Sequence, residues 1–260
     1  MKKLQNINGR FCESDYEYAF ISFLEQEGWT YLPGDQMKRV YGRDVLNTED
    51  LEAFIKKTNP DLNADEIKQI SDTVRLVGAE TDFATLHKVY GWMVDGIQFT
   101  PQNGQARMVA LIDYEEPSNN LFKVVNQLTV DYTDNGQLHN RRPDVLLYIN
   151  GIPVCVIELK NPTDEKATIA EAWKQINIRY WRDIPHLLHY CPLACISDGV
   201  QTRLGTVRTP YEHFYAWRRV NDGDQVSTLP FEETETMIKG VYSPERFLEI
   251  FRDYIYFQDH

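Results

Sequence analysis

Residues 141–162 read RRPDVLLYINGIPVCVIELKNP. The apolar runs Val145 to Ile149 and Ile152 to Leu159 are typical of strands, and Asn150-Gly151 between them is a strong signal for a tight hairpin turn. The second run is apolar at successive positions, as expected for a strand that is covered on both faces. The stretch therefore predicts a β-hairpin inside a buried sheet.

Three charged residues stand at the ends of these runs. Residues two apart on a strand lie on the same face, so Glu158 and Lys160 point the same way, and the hairpin brings Asp144 beside them. Burying two carboxylates and an amine is costly unless they have partners. Mg²⁺ prefers oxygen ligands, so we expect Asp144 and Glu158 to ligate Mg²⁺, for which Mn²⁺ could substitute, with Lys160 beside it.

The spacing matches that of the PD-(D/E)xK nucleases. Pro143-Asp144 is followed, after thirteen residues, by Glu158-Leu159-Lys160. A bound metal would polarise a phosphodiester and lower the pKa of a water, and the lysine would orient that water or stabilise charge on the phosphate. The alternative is a surface hairpin in which Glu158 and Lys160 form an ion pair. The doubly apolar run before Glu158 argues against it.

Composition restricts the partners of the protein. The chain of 260 residues has a net charge of −12, which argues against tight DNA binding by the chain alone, since phosphate contacts supply most non-specific affinity. A local basic cluster surrounds the predicted site: Arg141, Arg142, Lys160, Lys166, Lys174, Arg179 and Arg182. Few cysteines, no apolar membrane span and no signal peptide predict a cytoplasmic protein without membrane contact.

The order of elements predicts an α/β fold, in which a mixed β-sheet core is flanked by helices, with a helical N-terminal region. We expect residues 1–100 to be largely helical, 101–225 to form the catalytic α/β core, and 226–260 to be an acidic loop followed by a helix. The particular elements expected are a first helix from the capping box Ser14-Asp15-Tyr16-Glu17, strands Ala106 to Ile112, Phe122 to Tyr132 and Leu193 to Ser197, and helices Thr168 to Arg182 and Ser243 to Tyr254.

The helix Thr168 to Arg182 carries two kinds of face. Tyr180 aligns with an apolar stripe, whereas Gln175 and Arg179 are one turn apart on a polar face. On a regular helix, position i+5 lies away from position i. Either the helix is distorted here, or Tyr180 packs in the core while Gln175 and Arg179 face the catalytic hairpin. The periodicity favours the second arrangement.

Four segments, together with the motif, resemble the N-terminal endonuclease domain of the R subunit of type I restriction enzymes over nearly the whole chain. They are EYAFISFLEQEGW with Glu17, EAWKQINIRYWRDIP with Gln175 and Tyr180, CISDGVQTRLGTVRTPYEHFYAWR, and the terminal ERFLEIFRDYIYF. The family's helix carries a Gln-x-x-x-Tyr motif, whereas Gln175 and Tyr180 are five positions apart here.

The resemblance implies a restriction-endonuclease-like fold and Mg²⁺-dependent, sequence-nonspecific cutting of double-stranded DNA. It also implies assembly with methyltransferase and specificity subunits. Catalytic roles are implied for Asp144, Glu158, Lys160 and Glu17; DNA contacts are expected for Gln175, Arg179, Tyr180 and Arg142. The sequence has no Gly-Lys-Ser/Thr phosphate-binding loop, so ATP is expected to act only through motor domains outside this sequence.

Two other functions remain open at this point. One is another PD-(D/E)xK nuclease, of the recombination or resolvase type. The other is a module of the same fold that binds DNA or partner subunits without cutting. The complete set of Asp144, Glu158 and Lys160 disfavours the second, because binding alone does not need all three.

Overall fold

The computed structural model describes residues 13–78, 80–161, 168–226 and 232–258. Its strands, in chain order, are β1 Thr30–Pro33, β2 Ile97–Phe99, β3 Arg107–Val109, β4 Phe122–Asn126, β5 Val130–Asp134, β6 Gln137–Arg141, β7 Val145–Ile149, β8 Ile152–Leu159, β9 Leu193–Ser197, β10 Thr202–Thr206 and β11 Tyr215–Ala216. Its α-helices are α1 Glu13–Gln26, α2 Thr48–Thr58, α3 Ala64–Arg75, α4 Asp82–Asp95, α5 Ile169–Lys174, α6 Trp181–Asp183, α7 Pro185–Leu188, α8 Glu232–Val241 and α9 Pro244–Asp253.

Within these ranges, seven strands form one sheet in the order β1-β4-β7-β8-β9-β10-β11. The pairs β1–β4 and β8–β9 are parallel, and the other four pairs are antiparallel. Helices pack against this sheet, so the predicted α/β class with a mixed sheet is confirmed. The pairs β2–β3 and β5–β6 form two small separate ribbons.

The central hairpin has the predicted boundaries. Asn150 and Gly151 both have positive φ angles, 51° and 81°, as the tight turn requires. Gly151 also lies against α2, where an added Cβ would come within 2.1 Å of the Asn47 carbonyl oxygen. Every residue of β7 and β8 is buried, which explains why both strands are apolar apart from Glu158 near the end of β8.

The N-terminal region is helical, as predicted. The described part of α1 begins at Glu13, one residue before the predicted capping box. Asn63 caps α3 in a capping box with Glu66, and Gly96, with φ 88°, ends α4. No helix in the described ranges is both long and apolar enough to cross a membrane.

The predicted strand Phe122 to Tyr132 is wrong in one respect, because the chain breaks it at Gln127. Gln127 has a φ of 52°, in the left-handed region that residues other than glycine rarely adopt. β4 ends just before it, and β5 leaves the central sheet to pair with β6. The backbone of Gly34 lies close to this break, since a Cβ added to Gly34 would lie 2.4 Å from the Asn126 carbonyl oxygen.

Two further boundaries differ from the sequence prediction. The strand expected from Ala106 to Ile112 is only β3, and it pairs with β2 outside the central sheet. Helix α8 occupies part of the segment expected to be an acidic loop. Its acidic residues lie in the first turn, where they favour a helix, and Met237, Ile238 and Val241 are buried at helical spacing.

The terminal helices contribute to the same hydrophobic core as the sheet. Phe247 of α9 is fully buried, and its ring lies 5.5 Å from that of Trp29, edge to face. Trp29 in turn lies 5.3 Å from Phe122 at the start of β4. An aromatic chain therefore connects α9 to the central sheet.

We expect Phe247→Ala to lower the free energy of unfolding by about 3–5 kcal/mol, because it leaves a cavity in a fully buried aromatic cluster. Tyr256→Ala, at a side chain that is 85% exposed, is the control and should change it by less than about 0.5 kcal/mol. Urea denaturation measures both. Equal small effects would show that α9 is not part of the core.

Candidate active site

Glu158 is the centre of the site. It lies near the end of β8 and is completely buried. Its Oε1 accepts a hydrogen bond of 2.6 Å from the Tyr180 hydroxyl, and its Oε2 accepts one of 2.6 Å from the Gln175 amide. The amine of Lys160 lies 3.8 Å from Oε2. Both carboxylate oxygens are thus held by side chains of the following helix and by the lysine.

Asp144 lies beside Glu158, as strand parity predicts. Val145 pairs with Ile157 in the antiparallel register, so Asp144 and Glu158 occupy the next pair of opposite positions. The Asp144 backbone N–H lies 3.4 Å from Oε1 of Glu158, and its Oδ2 accepts from the Leu159 N–H at 2.9 Å. The Asp144 carboxylate is therefore fixed against the end of β8.

Lys160 completes the predicted group. Its backbone N–H donates to the Ser197 carbonyl at 2.8 Å, which continues the pairing of β8 with β9. Its amine donates to Oε1 of Gln175 at 3.0 Å, and its side chain remains 13% exposed. Among the three residues, the lysine is the most exposed.

The segment Gln175–Tyr180, between α5 and α6, is a π-helix. Its turn is wider than that of an α-helix, so the residue five positions on returns to the side of the first. The Gln175 amide accordingly donates to the Tyr180 hydroxyl at 2.9 Å. The expectation that Tyr180 lies away from Gln175 is therefore wrong, because it assumed a regular helical period.

The structure agrees with two of the other expectations for this helix and contradicts a third. Tyr180 is buried, as predicted, and Gln175 faces the hairpin through its bond to Glu158. Arg179 does not face it: its side chain is 53% exposed and lies 3.9 Å from Glu171. The exposed position follows from the π turn, which rotates Tyr180 rather than Arg179 towards the sheet.

Glu17 reaches the same region from α1. It is 5% exposed, and its Oε1 accepts from the Asn126 amide at 2.6 Å. Gln127 donates to Oε2 of Glu17 at 2.5 Å and, with the same nitrogen, to Oδ1 of Asp144 at 3.3 Å. Sequence reasoning missed Gln127, because two adjacent amides, Asn126 and Gln127, within an apolar run carry no distinctive signal.

The electrostatics of the site reflect its burial. Desolvation and the neighbouring Asp144 carboxylate raise the pKa of Glu158 well above its usual value, whereas Lys160 and the Tyr180 hydroxyl oppose this change. Desolvation and the adjacent Glu158 likewise raise the pKa of Tyr180. Two acidic groups held this close favour a cation between or beside them.

Two carboxylates, those of Asp144 and Glu158, lie close together at this end of the hairpin. Across the described ranges, no group of three or more His, Cys, Asp or Glu side chains is arranged to hold a metal ion. A pair is chemically sufficient for Mg²⁺, which keeps several of its waters and is commonly bound through one or two carboxylates.

The predicted basic cluster is largely occupied by internal ion pairs. Arg141 and Arg182 both pair with Asp183, at 2.6 and 2.7 Å. Lys174 pairs with Glu171 at 2.7 Å. Arg142 is exposed and has no ion pair with any residue in the described part of the chain. Lys166 lies outside the described residues.

Residues 10–213 match the family described as Type I restriction enzyme R protein N terminus. The chain therefore belongs to the family of N-terminal regions of type I restriction enzyme R proteins.

Curated relatives carry the same designation. The type I restriction enzyme HindI endonuclease subunit of Haemophilus influenzae is 30% identical over 95% of this chain and 24% of its own length. The putative type I restriction enzyme MjaIXP endonuclease subunit of Methanocaldococcus jannaschii is 28% identical over 92% of this chain and 25% of its own. The chain thus spans about a quarter of the length of these relatives, both of which are named as endonuclease subunits.

We expect Tyr180→Phe to lower the free energy of unfolding by about 1.5–3 kcal/mol, since it removes a hydrogen bond to a buried carboxylate. Tyr180→Ala should cost a few kcal/mol more, because the buried ring is also lost. Tyr215→Phe, at a side chain that is 67% exposed, is the matched control in the same urea titration. An unchanged stability for Tyr180→Phe would mean that the hydroxyl does not hold Glu158.

Proposed function

We propose that this chain is a Mg²⁺-dependent, sequence-nonspecific endonuclease for double-stranded DNA. The observation that supports the proposal is the convergence of Asp144, Glu158 and Lys160, each fixed by hydrogen bonds, at one end of a buried hairpin. A module that only bound DNA would not require two buried carboxylates beside an amine, because each buried charge is costly.

The donor set fits Mg²⁺, with Mn²⁺ as a substitute. Asp144 and Glu158 would hold the ion, since hard oxygen ligands suit both cations. When bound, the ion supplies polarisation of the phosphodiester and a lowered pKa for a water.

The residues of the chain have separable parts in phosphodiester hydrolysis. Lys160 directs its ammonium group to the reacting phosphate, where it stabilises developing negative charge or orients the attacking water. Gln175 accepts from that amine through Oε1, and its nitrogen donates to Glu158. One side chain therefore sets the distance between the Glu158 carboxylate and the Lys160 amine. Tyr180 fixes the second oxygen of Glu158. Glu17, on α1, restrains Asp144 through Gln127.

The complete enzyme requires regions outside this chain. By analogy with the family, we place target recognition in methyltransferase and specificity subunits, and ATP-driven translocation in motor domains of the full-length subunit. The reaction would then occur in the cytoplasm, on DNA that the motor delivers. The net charge of −12, which opposes tight DNA binding by this chain alone, is compatible with such delivery.

We expect Asp144→Ala, Glu158→Ala and Lys160→Ala in the full-length, assembled subunit to reduce DNA cleavage by at least about 10²–10³-fold. Translocation should be unchanged, because the chemistry and the motor occupy separate domains. Plasmid cleavage and triplex displacement measure the two steps on the same preparation.

Asp222→Ala, in an exposed loop, is the control for these variants. Loss of translocation together with cleavage would point to a structural role for the three residues. Full cleavage by any one of them would contradict the assignment of that residue.

The isolated chain should bind duplex DNA weakly, with a dissociation constant of about 10⁻⁴–10⁻⁶ M at physiological salt and little sequence preference. Arg142→Ala should lower the slope of log binding constant against log salt concentration by about one, which corresponds to the loss of one phosphate contact. Arg142 is chosen because it is the member of the described cluster without an internal ion pair. Lys68→Ala, an exposed residue of α3, is the control, and fluorescence anisotropy at rising salt measures both. Tight, sequence-specific binding would contradict delivery by other subunits.

A further inference from the structure

We propose that Gln127 is a positioning residue whose amide nitrogen takes the place of a second divalent ion between Glu17 and Asp144. The inference rests on the proposed ion at Asp144 and Glu158 and deepens it, because it limits the site to that one ion. Gln127 has been given no role by the motif, by the resemblance or by the family comparison.

The position of the amide is the first support. The Gln127 nitrogen lies 2.5 Å from Oε2 of Glu17 and 3.3 Å from Oδ1 of Asp144. An ionised carboxylate only accepts hydrogen bonds, so both contacts require the nitrogen rather than the oxygen of the amide at this point. A cation that bridged the same two oxygens would occupy the same space.

The backbone holds Gln127 in this position. Its N–H donates to the Asp144 carbonyl at 2.9 Å, so main chain and side chain both engage the same residue. Its φ of 52° ends β4 and turns the side chain towards α1. Such conformations are unfavourable outside glycine and persist where the surroundings determine them, which occurs often at functional sites.

The charges explain why a donor is needed there. Glu17 and Asp144 are 5% and 7% exposed, and they lie on different elements. Buried carboxylates brought together require either a cation or N–H donors. The neutral amide supplies two N–H groups without adding charge, and it thereby links α1 to the catalytic hairpin.

The test is the number of Mn²⁺ ions bound by the chain, measured by electron paramagnetic resonance of free Mn²⁺ during titration. Gln127→Glu replaces the donor by a third carboxylate and should bind one ion more than the unaltered chain. The added ion should disappear when Glu17→Gln is combined with it. Gln98→Glu, which adds the same charge at an exposed position of β2, should bind no additional ion.

Gln127→Ala is the second variant, for the case in which three adjacent carboxylates prevent folding. It removes the amide without adding charge, and it too should gain a Glu17-dependent ion, with weaker affinity. Failure of both folded variants to gain an ion overturns the inference. It is also overturned if the unaltered chain already binds two ions and loses one with Glu17→Gln.

The same titration separates this inference from the proposed function. If the unaltered chain binds no Mn²⁺, or binds an ion that Asp144→Asn and Glu158→Gln leave in place, the proposed metal site fails. A Glu17-dependent ion gained by Gln127→Glu would still support the role of Gln127 in that case. Retention of the first ion with no gain in the variants would leave the proposed function standing and remove the role of Gln127.

Discussion

The carboxylate of Glu158, which is completely removed from solvent, is the constraint that the rest of the site satisfies. A buried ion costs several kcal/mol unless hydrogen bonds and opposite charge compensate for it. The compensation comes from three directions: Tyr180 and Gln175 on the following helix, Lys160 at the end of the strand, and the backbone of Asp144 across the hairpin. Gln175 and Tyr180 both reach this carboxylate although they are five positions apart, which the π-helical turn between them makes possible.

The features that depend on local sequence patterns could be predicted from the sequence. Those that depend on how the buried Glu158 carboxylate is compensated by its partners could not. The turn at Asn150-Gly151 and the proximity of Asp144 and Glu158 follow from strand parity and turn chemistry. The contact of Tyr180 with Gln175 could not be predicted, because the apolar stripe has the period of a regular helix while the structure contains a π turn. Nor could the break at Gln127, since only its tertiary neighbours stabilise the left-handed backbone there.

Helix α8, whose first turn is acidic, lies against α1 and so connects the C-terminal part of the described chain to its N-terminal part. The Tyr16 hydroxyl contacts Ser197 at 2.6 Å and Thr234 of α8 at 2.9 Å, and Thr202 closes the group through 2.6 and 2.7 Å contacts. These buried hydroxyls join α1, two strands of the sheet and α8. Glu17 is the next residue of α1, so the C-terminal helices help to fix an acidic side chain of the candidate site.

The π-helical turn also bears on how such sites are found in other sequences. The family spacing that the resemblance implies has Gln and Tyr four residues apart, whereas Gln175 and Tyr180 are five apart. In an α-helix, one inserted residue would rotate everything after it by about 100°. Here the wide turn brings Tyr180 back to Gln175 across five positions, and Ile178 within that turn is 53% exposed and lies outside the core. A pattern search with a fixed Gln–Tyr spacing would pass over chains like this one, so an alignment gap inside the motif is compatible with an intact site.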